Sequence, residues 1–380
     1  MLEICHKLLD KDRVVHTRNH TLFEPYRSLE STYREDAFIR EGDFAERMLR
    51  IIEDVGDGFR AKLSPGVRDV RLNNAQVTQL LYRHDVATLR RLVYDYLTHK
   101  DGLWILFDNL DKGWPATGLT KDDLILIRCL IDSINKLRRA LVKKNIECNG
   151  LVFLRNDVFE LLVEYTPDRG KLSWVALDWT DPELLREMLR RRLVFSGADG
   201  SVGFLQIWQQ ICTSHLSGEE SSQYLIDRCL MRPRSLIELI NFCRSHAANL
   251  GKDRIDEEDF RKGEEDFSMK LVHDISFEIR DVLPEVEDVL YVFIQSSRRI
   301  DHDALVAHLT KHGIDEPERL IQLFLWFGCI GYVRETDEVA YIYDVKYDTK
   351  RLKALIRNAP SGNPVYQINP AFWSGLEIKA

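Results

Sequence analysis

The stretch Leu103-Trp104-Ile105-Leu106-Phe107-Asp108-Asn109-Leu110-Asp111 decides how this chain is read. Five apolar residues in a row are too few for a helix and end abruptly in acid. A short apolar run of this kind suits a parallel strand covered on both faces. Forty-odd residues later Leu151-Val152-Phe153-Leu154-Arg155-Asn156-Asp157 repeats the pattern, an apolar strand with charge at its carboxyl end. Between the two, Leu124, Ile127, Ile131, Ile134, Leu137 and Leu141 recur at helical spacing, after Thr120 as a cap with Asp123 three residues on. Strand, helix and strand make a βαβ unit, for which a right-handed crossover is the rule.

Working outward toward the amino end, residues 74–97 have helical periodicity, with Asp85 able to cap a second start. Gly56, Gly58, Pro65 and Gly66 mark a connecting loop. Residues 36–55 read as an amphipathic helix with Phe38, Phe44, Met48, Ile51 and Ile52 on its apolar face. Residues 1–35 are polar, rich in Arg and His, and read as a solvated segment. Its His16 and His20 have i,i+4 spacing but no evident third metal ligand.

Beyond Asp157 the pattern turns helical. Asp181-Pro182-Glu183 opens one helix. Others follow at 204–214, 221–229, 234–249 and 257–280, with boundaries at 196–203 and 281–284. Residues 286–295, 301–312 and 317–327 then read as three helices. The segments 329–334 and 339–345 read as two strands around Thr336-Asp337-Glu338. Three helices and a hairpin are the parts of a winged helix.

The bulk composition is that of a water-exposed globular chain: 380 residues, 44% apolar and 30% charged. A net charge of −8 argues against wholesale coating of nucleic acid or anionic lipid, while leaving room for a local basic face. The seven cysteines form no C-x-x-C pair, and several fall within apolar helical patterns, as reduced core residues do. The amino terminus lacks a basic-then-apolar leader, and runs such as 321–331 are too short to span a bilayer. A soluble cytoplasmic protein with no membrane partner is expected.

Four residues stand out as chemically placed. Asp108 lies at a strand's carboxyl end, the edge where open α/β sheets bind ligands, and can hold Mg²⁺. Asp111 can polarise an attacking water. The bland alternative for both is a solvated loop acid; the matching second strand with Arg155 at its end favours the functional reading. Arg155 can meet phosphate charge, or pair with Asp157 or Asp108. Arg232-Pro233-Arg234-Ser235 opens a helix whose free N–H groups favour an anion, and Arg234 can reach a nucleotide there or pair with Glu238.

Other charged clusters read more plainly. Arg190, Arg191 and Arg192 beside Glu183 and Glu187 read as a salt-bridged face, and His308 and His312 as exposed helix residues. The helix with Glu316, Glu318 and Arg319 is not basic. Lys346, Lys350, Arg351, Lys353 and Arg357 can touch phosphates or protein.

In that order, the segments LWILFDNLDKGW, LVFLRNDVFELL and MRPRSLIELINFC resemble P-loop ATPases of the AAA+/STAND group, over residues 85–380. The resemblance implies an α/β plus all-α fold. A partial P-loop α/β core would occupy residues 1–195, a helical lid 196–280, and a C-terminal winged helix 281–380. It implies Asp108 as the Walker B magnesium acid, Asp111 as the neighbouring acid, Arg155 in sensor 1 and Arg234 as a sensor-2-like lid residue. It further implies ATP and Mg²⁺ as cofactors, and a conformational switch with a protein partner or self-association. DNA is an alternative partner for the winged helix, on a degenerate, non-enzymatic scaffold. The sequence departs from the family where Asn109 follows Asp108, and no G-x-x-x-x-G-K-[ST] phosphate loop occurs. A start inside a longer ATPase is the expected account.

Overall fold

The run Leu103–Phe107 forms a strand, β1, in a computed structural model that describes residues 2–33, 86–108, 110, 121–164, 174–283, 286, 288–359 and 362–379. The described chain is mostly helical, with small sheets. It divides into two compact units: Met1–Lys112 with Lys121–Arg169, and Gly113–Thr120 with Gly170–Ala380.

In the first unit β1 pairs in parallel with β2, Cys148–Val152, from Leu103↔Cys148 to Phe107↔Val152. Helix α4, Lys121–Val142, joins them and turns Leu124, Ile127, Ile134 and Leu141 inward. The helix lies directly on the sheet at Gly150, where an added Cβ would come within 2.2 Å of Ile134 Cγ2. Among the described residues nothing covers the opposite sheet face: Trp104 is 62% exposed and Leu106 59%, and Leu151 is exposed beside them. The described residues therefore cover one face of the strand, where its composition suggests cover on both. Helix α4 shields only the side of Ile105 and Gly150.

Residues 2–33, read from sequence within a solvated segment, are not one. They form α1, Leu2–Asp12, and α2, His20–Tyr33. These pack with α3, Val86–Leu97, around Cys5, Leu8, Leu22, Leu29, Leu89 and Val93. The spacings 4, 5, 8, 9 and 22, 26, 29 are helical stripes. Pro25 inside α2, which forfeits one backbone hydrogen bond, helps to hide the second of them. At the end of α1 the buried Asp12 accepts a hydrogen bond from Tyr96 Oη (2.6 Å) and an ion pair from Lys100 Nζ (2.6 Å). Burial opposes its charge, but these bonds and the Lys100 and Lys11 cations outweigh it and hold the carboxyl below its ordinary range. His16 donates to the Asp12 carbonyl oxygen at 3.0 Å and stacks on Tyr26, ring centres 3.7 Å apart. The segment read as a helix at 36–55, the loop after it, and residues 74–85 lie outside the described residues. Helix α5, Asn156–Glu164, follows β2.

The second unit is organised on one long helix. Helix α6, Pro182–Phe195, starts at Asp181, whose side chain accepts from the Glu183 N–H. Helices α7 (Phe204–Ile211), α8 (Ser221–Ile226), α9 (Pro233–Asn249) and α10 (Glu257–Val282) follow. A short hairpin, β3 (His215–Leu216) and β4 (Glu219–Glu220), turns at Ser217 and Gly218, both with positive φ. Helix α10 opens with a reciprocal capping box between Asp256 and Asp259. Gly263 of α10 presses against the backbone of α9 at Cys243.

The carboxyl-terminal part shares this hydrophobic core. It comprises β5 (Arg299–Asp301), α11 (His302–Lys311), α12 (Pro317–Trp326), β6 (Ile330–Val333), β7 (Val339–Ala340), α13 (Thr349–Arg357) and β8 (Val365–Ile368). The sheet runs β5-β8-β6-β7, antiparallel throughout. Three details differ from the sequence pattern. The described part of 286–295 is a 3₁₀ turn, Val289–Phe293, entered through Asp288 at φ 47°. The strand expected at 339–345 stops at Ala340, where Tyr341 and Asp344 cap a second 3₁₀ turn. Between β5 and β6 lies β8, unforeseen because its pairing is wholly long-range. Ser268 of α10 donates to the Ala371 carbonyl (2.7 Å) and accepts from the Gly375 N–H (2.9 Å), tying the long helix to the C-terminal turn.

Candidate functional site

The parallel register fixes where the first pair of chemically placed residues lies. Phe107 and Val152 are directly opposed, and the Phe153 N–H donates to the Phe107 carbonyl at 2.8 Å. The chain therefore leaves both strands at one level. Asp108 follows β1 at once, and Arg155 stands three residues past β2, at the head of α5. Asp108 is exposed and Arg155 half-buried, both engaged with neighbouring groups. They share the carboxyl edge of the sheet. Asp111 lies outside the described residues, as does Asn109.

Arg234 belongs to the second unit, on the first turn of α9. Its side chain is exposed, and Glu238 is taken by Lys270 at 3.1 Å. The neighbouring Arg232 has a structural task instead. Its Nη1 donates to both carboxyl oxygens of Glu278 on α10, at 2.9 and 3.1 Å. Burial there opposes the guanidinium charge, yet Glu278 keeps its pKa above the ordinary arginine value. Pro233 at the first helical position presets the entry, so Arg-Pro-Arg divides into an anchor and an outward-facing cation.

The arginine run on α6 also divides. Arg190 and Arg191 each reach Glu187 at 2.8 Å, and their hydrogen bonds bring the Glu187 carboxyl down to about 2. Arg192 forms no ion pair among the described residues and lines a cleft with Arg244 of α9. From sequence Arg192 counts in the salt-bridged face, which holds for Arg190 and Arg191 alone, and Arg244 is not singled out, though a signal is present. Arg192 has Met188 and Leu189 at the helical neighbour positions, and Arg244 has Ile240, Asn241, Ala247 and Ala248. An arginine with no acid three or four residues away lacks a helical partner.

Other candidates resolve into packing. His308 is not an exposed helix residue: it is half-buried and donates through Nε2 to the Val292 carbonyl at 2.5 Å. His312 is exposed and bonds the His308 carbonyl. Six of the seven cysteines are buried, and all are free thiols. Burial pushes Cys212 and Cys229 up to about 12 and raises Cys243 and Cys329 further, so these are inert at neutral pH. Among the described residues, no helix is long and apolar enough to cross a membrane.

Residues 183–276, from α6 into α10, match the family described as the FunZ-associated C-terminal helical domain. The chain is also similar to a putative transposon gamma-delta 80.3 kDa protein of Escherichia coli (strain K12), 23% identical over 298 residues. That alignment covers 72% of this chain and 40% of the relative, so the chain spans about two fifths of the length of the curated protein it matches. No solved structure matches it.

Proposed function

We propose that this chain belongs to the P-loop ATPases of the AAA+/STAND group and carries the magnesium and sensor half of an ATP-driven conformational switch. One observation carries the reading: two adjacent parallel strands, joined by a helix, that bring Asp108 and Arg155 to one carboxyl edge. Parallel neighbours linked this way place ligand-binding groups at that edge. In this reading α7–α10 are the helical lid, and α11, α12 and the β6–β7 hairpin belong to a winged helix.

The donor set suits the ion. Mg²⁺ keeps most of its water and takes one or two protein carboxylates, which an exposed Asp108 can provide. Bound Mg·ATP would supply the phosphoanhydride whose cleavage drives the switch. In this reading Asp108 would hold the metal, Asp111 would orient the attacking water and Arg155 would meet phosphate charge, with Arg234 the sensor-2-like lid residue that the family resemblance implies. Calorimetry with Mg·ATP tests this. Micromolar binding that Asp108→Asn weakens at least tenfold is the expected result. Absent binding, or binding indifferent to that substitution, rejects the reading for this chain.

A second reading rests on α13. Lys350, Arg351 and Arg357 are exposed there and form no ion pair among the described residues, while Lys353 Nζ donates to Gln322 of α12 at 3.1 Å. A basic helix is thus fastened beside the second helix of the helical pair, and the similar Escherichia coli protein is named for a transposon. This favours a non-enzymatic module in which the C-terminal part contacts DNA phosphates. Such binding falls steeply with salt. The triple change Lys350→Glu, Arg351→Glu, Arg357→Glu should lower duplex affinity more than tenfold and flatten the salt slope. Salt-insensitive binding, or equal binding by the variant, would exclude it.

A further inference from the structure

We infer that the helical domain holds a separate binding site for a small amphiphilic anion, an apolar body bearing one phosphate or carboxylate group. The site is a cleft of about 340 Å³ in the second unit, built only from residues between Leu189 and Ile255. Every lining residue lies inside the matched helical domain. It uses neither Asp108 nor Arg155 and does not rest on the ATP reading.

The walls are apolar. Leu189 and Leu193 come from α6, Ile237 and Ile240 from α9, and Trp208 and Ile211 from α7. The Trp208 indole N–H is committed to Ser221 Oγ at 2.8 Å, so its ring offers only carbon to a ligand. Small-molecule sites have this character: a few hundred Å³, mostly apolar, with a few convergent polar groups.

The rim supplies those groups, and their partners separate scaffold from recognition. Arg254 Nη2 donates to the Gln209 and Cys212 carbonyls at 2.9 and 2.8 Å, closing the C-terminal end of α7. Lys252 is paired with Asp256 and Asp259, the two acids of the α10 capping box. These two cations hold the rim in place. Arg192 and Arg244, on α6 and α9, form no ion pair among the described residues, and Asn241 adds an amide between the helices. Asp253 is the one carboxylate in the lining, so the rim is net positive on a chain of net charge −8. A guanidinium at the edge of an apolar cleft binds an oxyanion through charge-assisted, often bidentate hydrogen bonds. The anionic head is assigned to Arg192 and Arg244, and the apolar body to the aliphatic walls beneath.

Calorimetry on the full chain tests this with 1-naphthyl phosphate, 1-naphthol and inorganic phosphate as probes. The phosphate ester should bind one site, at least tenfold tighter than either the alcohol or the bare anion. Arg192→Ala and Arg244→Ala, both at exposed positions, should each cost about tenfold for the ester and leave the alcohol unchanged. Ala248→Trp, which fills the mouth of the cleft, should remove binding of ester and alcohol alike, with thermal melts checking that each variant is folded. Equal binding of ester and alcohol, equal binding of ester and phosphate, no binding of the ester, or arginine variants that bind it as the parent does would each overturn the proposal.

Discussion

Replacing Gly263 by alanine is expected to destabilise the second unit by about 3 kcal/mol, the upper end of the range for overpacking. The new methyl carbon would lie 2.5 Å from Cys243 N, 2.6 Å from its Sγ and 2.7 Å from its Cα. Two of those atoms are backbone and cannot turn away, so α9 and α10 must separate. Alanine also gains about 1 kcal/mol of helix propensity over glycine. The clash exceeds that gain, because parting the helices loosens Leu239, Phe260 and Phe267 in the core. In thermal melts the loss amounts to roughly 10 °C for a unit of this size. Cys243→Ala supplies the control. It removes the sulfur but leaves the two backbone obstacles, so it should not rescue Gly263→Ala. A full rescue, or a Gly263→Ala melt at the parental temperature, would show that the helices are not in backbone contact.

Asp12→Ala is the second large effect, expected to cost the first unit about 3 kcal/mol. The Asp12 carboxylate is 3% exposed and its partner Lys100 is 22% exposed. Removing the acid leaves a half-sheltered ammonium and the Tyr96 hydroxyl without their acceptor. Breaking a buried pair from one side is costly for this reason. The pH dependence has a definite sign. The folded Asp12 carboxyl sits below its ordinary value of 3.8, so its stabilisation is complete above that value and disappears as pH falls through the folded pKa. Denaturation of the parent should therefore steepen below about pH 4, and Asp12→Ala should lack that component. A parent and variant that lose stability in parallel between pH 5 and pH 2.5 would show that Asp12 bears no such load.

The parts of the fold that are local in origin were legible in the chain. The apolar run at 103–107 and the caps at Asp181-Pro182 and Arg232-Pro233 each announce an element within a few residues, and the structure starts elements there. What escaped depends on distant partners. Strand β8 exists because β5 and β6 flank it, its pairing with β5 spanning 68 residues at Arg299↔Gln367 and 66 at Ile300↔Tyr366. Helix α1 reads as polar until α2 and α3 cover its stripe. The same division holds at the sites. The common edge of Asp108 and Arg155 follows from two strands and one crossover, so spacing sufficed. The cleft needs three helices, and the freedom of Arg192 becomes visible only once Glu187 is seen to hold Arg190 and Arg191.

Helix α10 has a mechanical consequence. Its amino-terminal half is wedged against α9 at Gly263, and one turn later Ser268 is bonded to Ala371 and Gly375. The helical domain and the C-terminal sheet are thus bolted to the same rod within two turns of each other. To pivot one against the other would break both Ser268 bonds and uncover Phe267, Leu271 and Val272. Close-packed interiors transmit strain rather than absorb it. A push applied at the cleft between α6 and α9 should therefore be passed along α10 to the C-terminal turn at Ala371 and Gly375, with α10 as the drive shaft.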